Sequence, residues 1–167
     1  ALIGYPGAKA TIGAPTAKPC YETNCVEGAF SSKVQEPANH WVVAGMYFRG
    51  ATVALGLGYP PGKPARDWRV VGNDISCPGG DGQAACFDTS GNSYVKFFAN
   101  YVHHVGVAGA RAQNYYQGVY FSTDSNFIEM AWNEVAYVQG CRGVQLHSSR
   151  LGSGGPDDPT GQNLHDV

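Results

Sequence analysis

The chain is poor in charge. Asp, Glu, Lys and Arg supply 14% of its 167 residues, against about a quarter in ordinary globular chains. The signs nearly balance, 11 basic against 13 acidic, for a net charge of −2. Such a surface gives no electrostatic footing for nucleic acid or for an anionic membrane face, and neither is expected as a partner. Long apolar runs are missing too. The apolar stretches fall far short of the roughly 20 residues that span a bilayer. No amphipathic helical stretch of useful length occurs. Cysteine pairs at zinc-finger spacing are absent, because Cys20 and Cys25 have no second pair nearby.

What the chain does have is glycine (23), proline (10) and tyrosine (10). Short apolar segments are separated by Gly and Asn, which predicts an all-β chain. One pattern is written three times: Trp68-Arg69-Val70-Val71-Gly72-Asn73-Asp74-Ile75, then Val95 to Val102 around Asn100, then Ile128 to Val135 around Asn133. A looser copy, His40 to Tyr47, has Gly45 as its anchor. The anchors Gly45, Asn73, Asn100 and Asn133 are 28, 27 and 33 residues apart. A period of this size marks a solenoid. Counting from the asparagine, positions −5, −3 and +2 are apolar in all three full copies. Their alternation is that of a strand with one buried face. The asparagine then breaks the alternation, so the chain is expected to bend there. Stacked at about 4.8 Å, Asn73, Asn100 and Asn133 are expected to form a hydrogen-bonded ladder.

This combination resembles right-handed parallel β-helix proteins of the pectate-lyase-like superfamily. The carrying segments are HWVVAGMYFRGA, WRVVGNDI, YVKFFANYVHHVGV, GVYFSTDSNFIEMAWNEVAYV and GVQLHSS, together with the opening ALIGYPGAKATIG. The resemblance implies one β-helix domain over 1–167, with loop excursions near 16–37, 58–66, 105–117 and 151–161. Both termini read as strand or coil starts, so the chain is expected to be a piece of a longer solenoid or a subunit completed by neighbours. The implied function is that of a secreted, carbohydrate-active protein similar to polysaccharide lyases, acting on or binding an extracellular polysaccharide. The rival reading is a structural β-solenoid subunit of an extracellular fibre or adhesin, associating end to end. A non-catalytic sugar-binding module lies between them.

Five cysteines make an odd count. Cys20 with Cys25, and Cys77 with Cys86, each bracket a short loop and read as staples, which favours an oxidising, extracellular location. Cys141 is left over and reads as a small buried hydrophobe.

Four constellations bear chemistry. Arg69, Lys96 and Glu129 are predicted to form one outward row, with Lys96 beside Glu129. In β-helix lyases a basic residue on such a face takes the proton next to a uronate carboxylate while another cation neutralises it; the resemblance gives Lys96 or Arg69 those roles. Placing Phe87, Phe121 and Leu146 inward sets Asp88, Ser122 and His147 side by side outside. The order rules against a Ser-His-Asp triad, because Asp88 falls on the far side of the serine. An Asp88–His147 acid–base pair helped by Arg150 remains. Asp74, Tyr101 and Glu134 form a third row that can hold a sugar or a calcium ion, with Asp124, Asp157 and Asp158 as further oxygen donors. His103 and His104 are adjacent, so on a strand they point opposite ways and read as structural. Tyr101, Tyr115, Tyr116, Tyr120 and Trp132 either line a carbohydrate path or stack on one another.

Overall fold

A computed structural model describes residues 1–15, 30–31, 39–51, 53–57, 65–78, 84–89, 91–106, 116–122, 125–139, 142–147 and 167. The chain lays down strands in groups of three. The first group is β1 (Leu2–Ile3), β2 (Thr11–Gly13) and β3 (Phe30–Ser31). The second is β4 (Val42–Ala44), β5 (Tyr47–Arg49) and β6 (Leu55–Leu57). The third is β7 (Arg69–Val71), β8 (Asp74–Cys77) and β9 (Ala84–Thr89). The fourth is β10 (Lys96–Phe98), β11 (Tyr101–Val105) and β12 (Tyr116–Phe121). The fifth is β13 (Glu129–Ala131), β14 (Glu134–Val138) and β15 (Arg142–Leu146).

Every third strand joins the same sheet. Sheet A is β1-β4-β7-β10-β13, sheet B is β2-β5-β8-β11-β14 and sheet C is β3-β6-β9-β12-β15. All pairings are parallel. The chain therefore visits the three sheets in turn, five times. Among the described residues there is no helix.

Inward side chains of the third and fourth circuits meet in the middle. Trp68, Val70, Ile75, Phe87, Val95, Phe97, Val102, Val119 and Phe121 are all at most 1% exposed. Phe87 and Phe97 lie 4.3 Å apart and Phe121 meets both edge-on. The disulfide Cys77–Cys86 joins the end of β8 to β9, with Cα atoms 5.6 Å apart. Both cysteines belong to the core cluster.

The corner between sheets A and B is set by two adjacent positions. The first holds a left-handed residue: Gly45, Gly72, Ala99 and Trp132, with φ of 63°, 63°, 53° and 57°. The second holds the asparagines. Asn73 Nδ2 donates to Asn100 Oδ1 at 3.0 Å, and Asn100 Nδ2 donates to Asn133 Oδ1 at 3.1 Å. Each amide also donates to a carbonyl of the preceding circuit: Asn73 to Val43, Asn100 to Val70, Asn133 to Phe97. Each Oδ1 accepts a backbone N–H, from Met46, Asn73 and Asn100 in turn. So the turn itself is made by the residue before the asparagine, and the asparagine satisfies the backbone groups that the turn leaves open.

Three details of the geometry bear on where the circuits begin and end. Gly45 pairs with Gly72, since Val43 pairs with Val70 and Ala44 with Val71. Met46 therefore occupies the asparagine position of the second circuit. Second, the stretch 16–37 contains β3, which pairs with β6. A two-residue strand is too short to show a period. Third, the excursion near 58–66 gives way by the buried Ala65 and by Arg66, which bridges to Ser93, and the one near 105–117 gives way to β12. Cys20, Cys25, Cys141, Arg150, Tyr115, Asp124, Asp157, Asp158 and the stretch 151–161 lie outside the described residues.

Candidate functional site on the outer face of sheet B

Parallel register brings residues far apart in sequence into one row. Thr11, Tyr47, Asp74, Tyr101 and Glu134 are Cα partners across sheet B. Two positions on, Arg49, Ser76, His103 and Ala136 form a second row. Alternation puts both rows on the outer face, because Phe48, Ile75 and Val102 between them are buried.

Asp74 is the hub. Its Oδ1 takes Arg49 Nη1 at 2.7 Å and His103 Nε2 at 2.7 Å. Arg49 also donates to the carbonyls of Phe48 and Asp74. The side chains are only 13% exposed at His103 and 20% at Arg49, so these charge-assisted bonds are partly shielded from water. His103 stacks on Tyr101, with ring centroids 4.2 Å apart.

His104 joins the network through a backbone irregularity. The register with β8 shifts between His103 and Val105, and His104 is left-handed with φ 50°. The bulge keeps Val105 in the core, 2% exposed, and turns the His104 ring to the same side as His103. Their Nδ1 atoms are 2.6 Å apart. The expectation that neighbouring histidines point opposite ways fails here, because it assumes unbroken strand geometry. The exposed His104 ring also stacks on Tyr137, itself left-handed with φ 52°.

The bonding pattern orders the protons. Asp74 accepts, so His103 Nε2 carries hydrogen. In the neutral pair His103 Nδ1 then accepts from His104 Nδ1–H, which leaves the lone pair of His104 on Nε2. Tyr101 has its phenol pKa raised, first by desolvation of the ring and then by the negative charges of Glu134, Tyr137 and Asp74. It therefore holds its proton above the usual tyrosine range.

Comparison with protein-family models, curated proteins and solved structures finds no match to this chain.

The other predicted rows are placed as follows. Arg69, Lys96 and Glu129 are Cα partners on sheet A. Lys96 Nζ lies 2.9 Å from a Glu129 carboxylate oxygen, and both side chains are substantially exposed, 41% and 58%. On sheet C the expected trio is broken. Asp88 pairs with Tyr120, and Phe87 with Val119. Ser122 follows Phe121, whose partner is Thr89. The offset is two residues. A slip of two preserves the inward and outward alternation, so Phe87 and Phe121 stay buried and the pattern cannot report the shift. Leu146, placed inward in that alignment, is 52% exposed. It lies on β15, the end strand of sheet C among the described residues. His147 instead meets Tyr120 Oη at 2.8 Å, and Ser122 Oγ donates to the same phenol at 3.3 Å. Asp88 lies in one row with Tyr120 and Gln145, so His147 is two circuits and two positions away from it. Glu134 stands beside Tyr101 as expected. Among the described residues no group of three His, Cys, Asp or Glu side chains converges on a cation position.

Arg49 is the residue that sequence reasoning passed over. Anchoring the loose copy on Met46 instead of Gly45 would have put Arg49 in the His103 row.

Proposed function

We propose that the chain is a right-handed parallel β-helix of the extracellular, carbohydrate-active kind, and that it binds an acidic polysaccharide across the outer face of sheet B and cleaves it by β-elimination. Three sheets built from every third strand, and a disulfide within the core, are consistent with such a protein. The observation that carries the reading is the chain Arg49–Asp74–His103–His104 beside Tyr101. It supplies a base, a cation and an acid on one face.

In this reading a uronate ring lies over Tyr101. His104 Nε2 takes the proton from the carbon next to the carboxylate, with Asp74 and His103 holding the tautomer that leaves Nε2 free. Arg49, anchored by Asp74, offsets the charge that builds on the carboxylate. The bond from the neighbouring carbon to the glycosidic oxygen breaks as the carbon–carbon double bond forms. Tyr101, protonated at neutral pH, gives its phenol proton to the departing oxygen. This reading assigns no part to Lys96 and Arg69, which lie on sheet A, where Lys96 pairs with Glu129.

Incubation with pectate, alginate and glycosaminoglycans, followed by ultraviolet absorbance of new unsaturated ends, tests this. Wild type produces the absorbance and His104→Ala loses about 10²–10⁴-fold in rate. Absence of absorbance with every uronate polymer refutes it.

A further inference from the structure

The A–B corner is bare on two circuits and filled on two others. Gly45, Gly72, Ala99 and Trp132 share one left-handed conformation. The backbone accepts alanine and tryptophan there, so the positive φ does not by itself demand glycine. What the two glycines provide is space. A Cβ on Gly72 would meet no atom within 4 Å, and one on Gly45 nothing nearer than Gly4 O at 3.8 Å. Trp132 fills the equivalent space on the fifth circuit, standing 83% exposed against Phe98.

Over the bare stretch lies a groove of about 490 Å³. The turn between β1 and β2, from Tyr5 to Lys9, forms one wall, and Tyr47 with Asp74 forms the other. This size falls within the range of small-ligand sites, about 300–1,000 Å³. Lys9 Nζ and the Arg49 guanidinium approach the Tyr47 ring at 5.9 and 5.3 Å. The groove lining itself carries one cation, Lys9, and one carboxylate, Asp74, and Arg49 behind them is paired with Asp74. Asp74 uses Oδ1 for both Arg49 and His103. Tyr5, 80% exposed, offers a ring face beside the groove.

We infer that this groove is a subsite for an acidic sugar residue next to the one on sheet B, an inference that rests on the polysaccharide reading above. The sugar carboxylate meets Lys9, a hydroxyl donates to Asp74 and the ring face covers Tyr5. Tyr47 and Asp74 belong both to the groove and to the sheet B row, so the two positions are continuous. Ala99 and Trp132 narrow the corner on later circuits, which leaves the second and third circuits as the crossing point.

Calorimetric titration with short oligogalacturonate and alginate oligomers decides the matter, using wild type, Gly72→Asn, Lys9→Gln and Ala99→Asn. Asparagine tolerates the left-handed conformation, so Gly72→Asn projects an amide into the groove without refolding the corner. Its affinity falls at least tenfold. Lys9→Gln, on an exposed turn, weakens the acidic oligomer several-fold but leaves its methyl-esterified form unchanged. Ala99→Asn, outside the groove lining, binds like wild type. Wild-type affinity in both Gly72→Asn and Lys9→Gln overturns the subsite while leaving sheet B as the binding face. Failure of wild type to bind any acidic oligomer overturns the reading beneath it. If Gly72→Asn melts early, the Lys9→Gln comparison decides alone.

Discussion

Removing the middle asparagine should damage the protein more than removing the last one. Asn100 is 1% exposed. Its Oδ1 accepts from Asn73 N and Asn73 Nδ2, and its Nδ2 donates to Val70 O and Asn133 Oδ1. In Asn100→Ala two buried backbone groups, Asn73 N–H and Val70 C=O, lose these partners. Each such group costs about 1–3 kcal/mol, so the loss is about 4 kcal/mol, a large part of the 5–15 kcal/mol that holds a typical domain. Asn133 is only partly buried, and water can replace its bonds to Asn100 and Phe97. Its alanine variant should lose about 1–2 kcal/mol. Urea unfolding followed by circular dichroism measures both, read from the midpoint at constant slope. Asn100→Asp sharpens the test. It keeps the shape but points a carboxylate at two acceptors, Val70 O and Asn133 Oδ1. Only the protonated acid can donate to one of them, so this variant should be less stable at pH 7 than at pH 4. Equal losses for Asn100→Ala and Asn133→Ala, or an Asn100→Asp variant indifferent to pH, would refute the reasoning.

Other perturbations follow from the same geometry. Replacing Cys77 and Cys86 by alanine reopens a link of sequence separation 9; loop-closure entropy puts the loss at about 2.5 kcal/mol, or roughly 5–10 °C in Tm, readable by scanning calorimetry. Tyr101 has a folded-state pKa above its reference value of 10.0. The folded state therefore holds the phenol proton more tightly, and the associated stability is present below pH 10 and is lost as pH rises through the folded pKa. Tyr101→Phe should remove that alkaline slope from a melting-versus-pH series. Lys96→Gln breaks only an exposed ion pair, so its unfolding free energy should change by less than about 1 kcal/mol, and turnover of a uronate polymer should be unaffected.

The interior was legible from sequence because burial on one face leaves a period of two. Trp68, Val70, Ile75, Val95, Phe97 and Val102 could be placed from spacing alone. So could the asparagine row, since an amide repeated at a break in alternation has few roles besides bonding across circuits. What spacing could not show was anything that conserves or suspends that alternation. The offset of two on sheet C kept every inward residue inward, and so hid that Asp88 faces Tyr120. The left-handed His104 suspended the alternation for one residue and brought two rings together that a regular strand would part. Glycine before methionine at Gly45–Met46 drew the anchor one place early, which took Arg49 out of the row it shares with His103. The hub Asp74 was named, but its partners come from neighbouring circuits, 25 and 29 residues away, and no local pattern announces them.

The circuits keep their phase while their perimeters differ. From Tyr47 to Leu55 the chain takes eight residues, yet the matching path from Asp74 to Phe87 takes thirteen; the following leg, fourteen residues from Leu55 to Arg69, shortens to nine from Phe87 to Lys96. Equal spacing between Asn73 and its neighbours thus conceals a gain at one vertex cancelled by a loss at the next. Sheet pairing fixes where each straight side begins, and it is indifferent to how much chain is spent rounding the bend. Vertices of this kind are open to lengthening one at a time, so new surface can be grafted beside the sheet B row without disturbing a single rung beneath it.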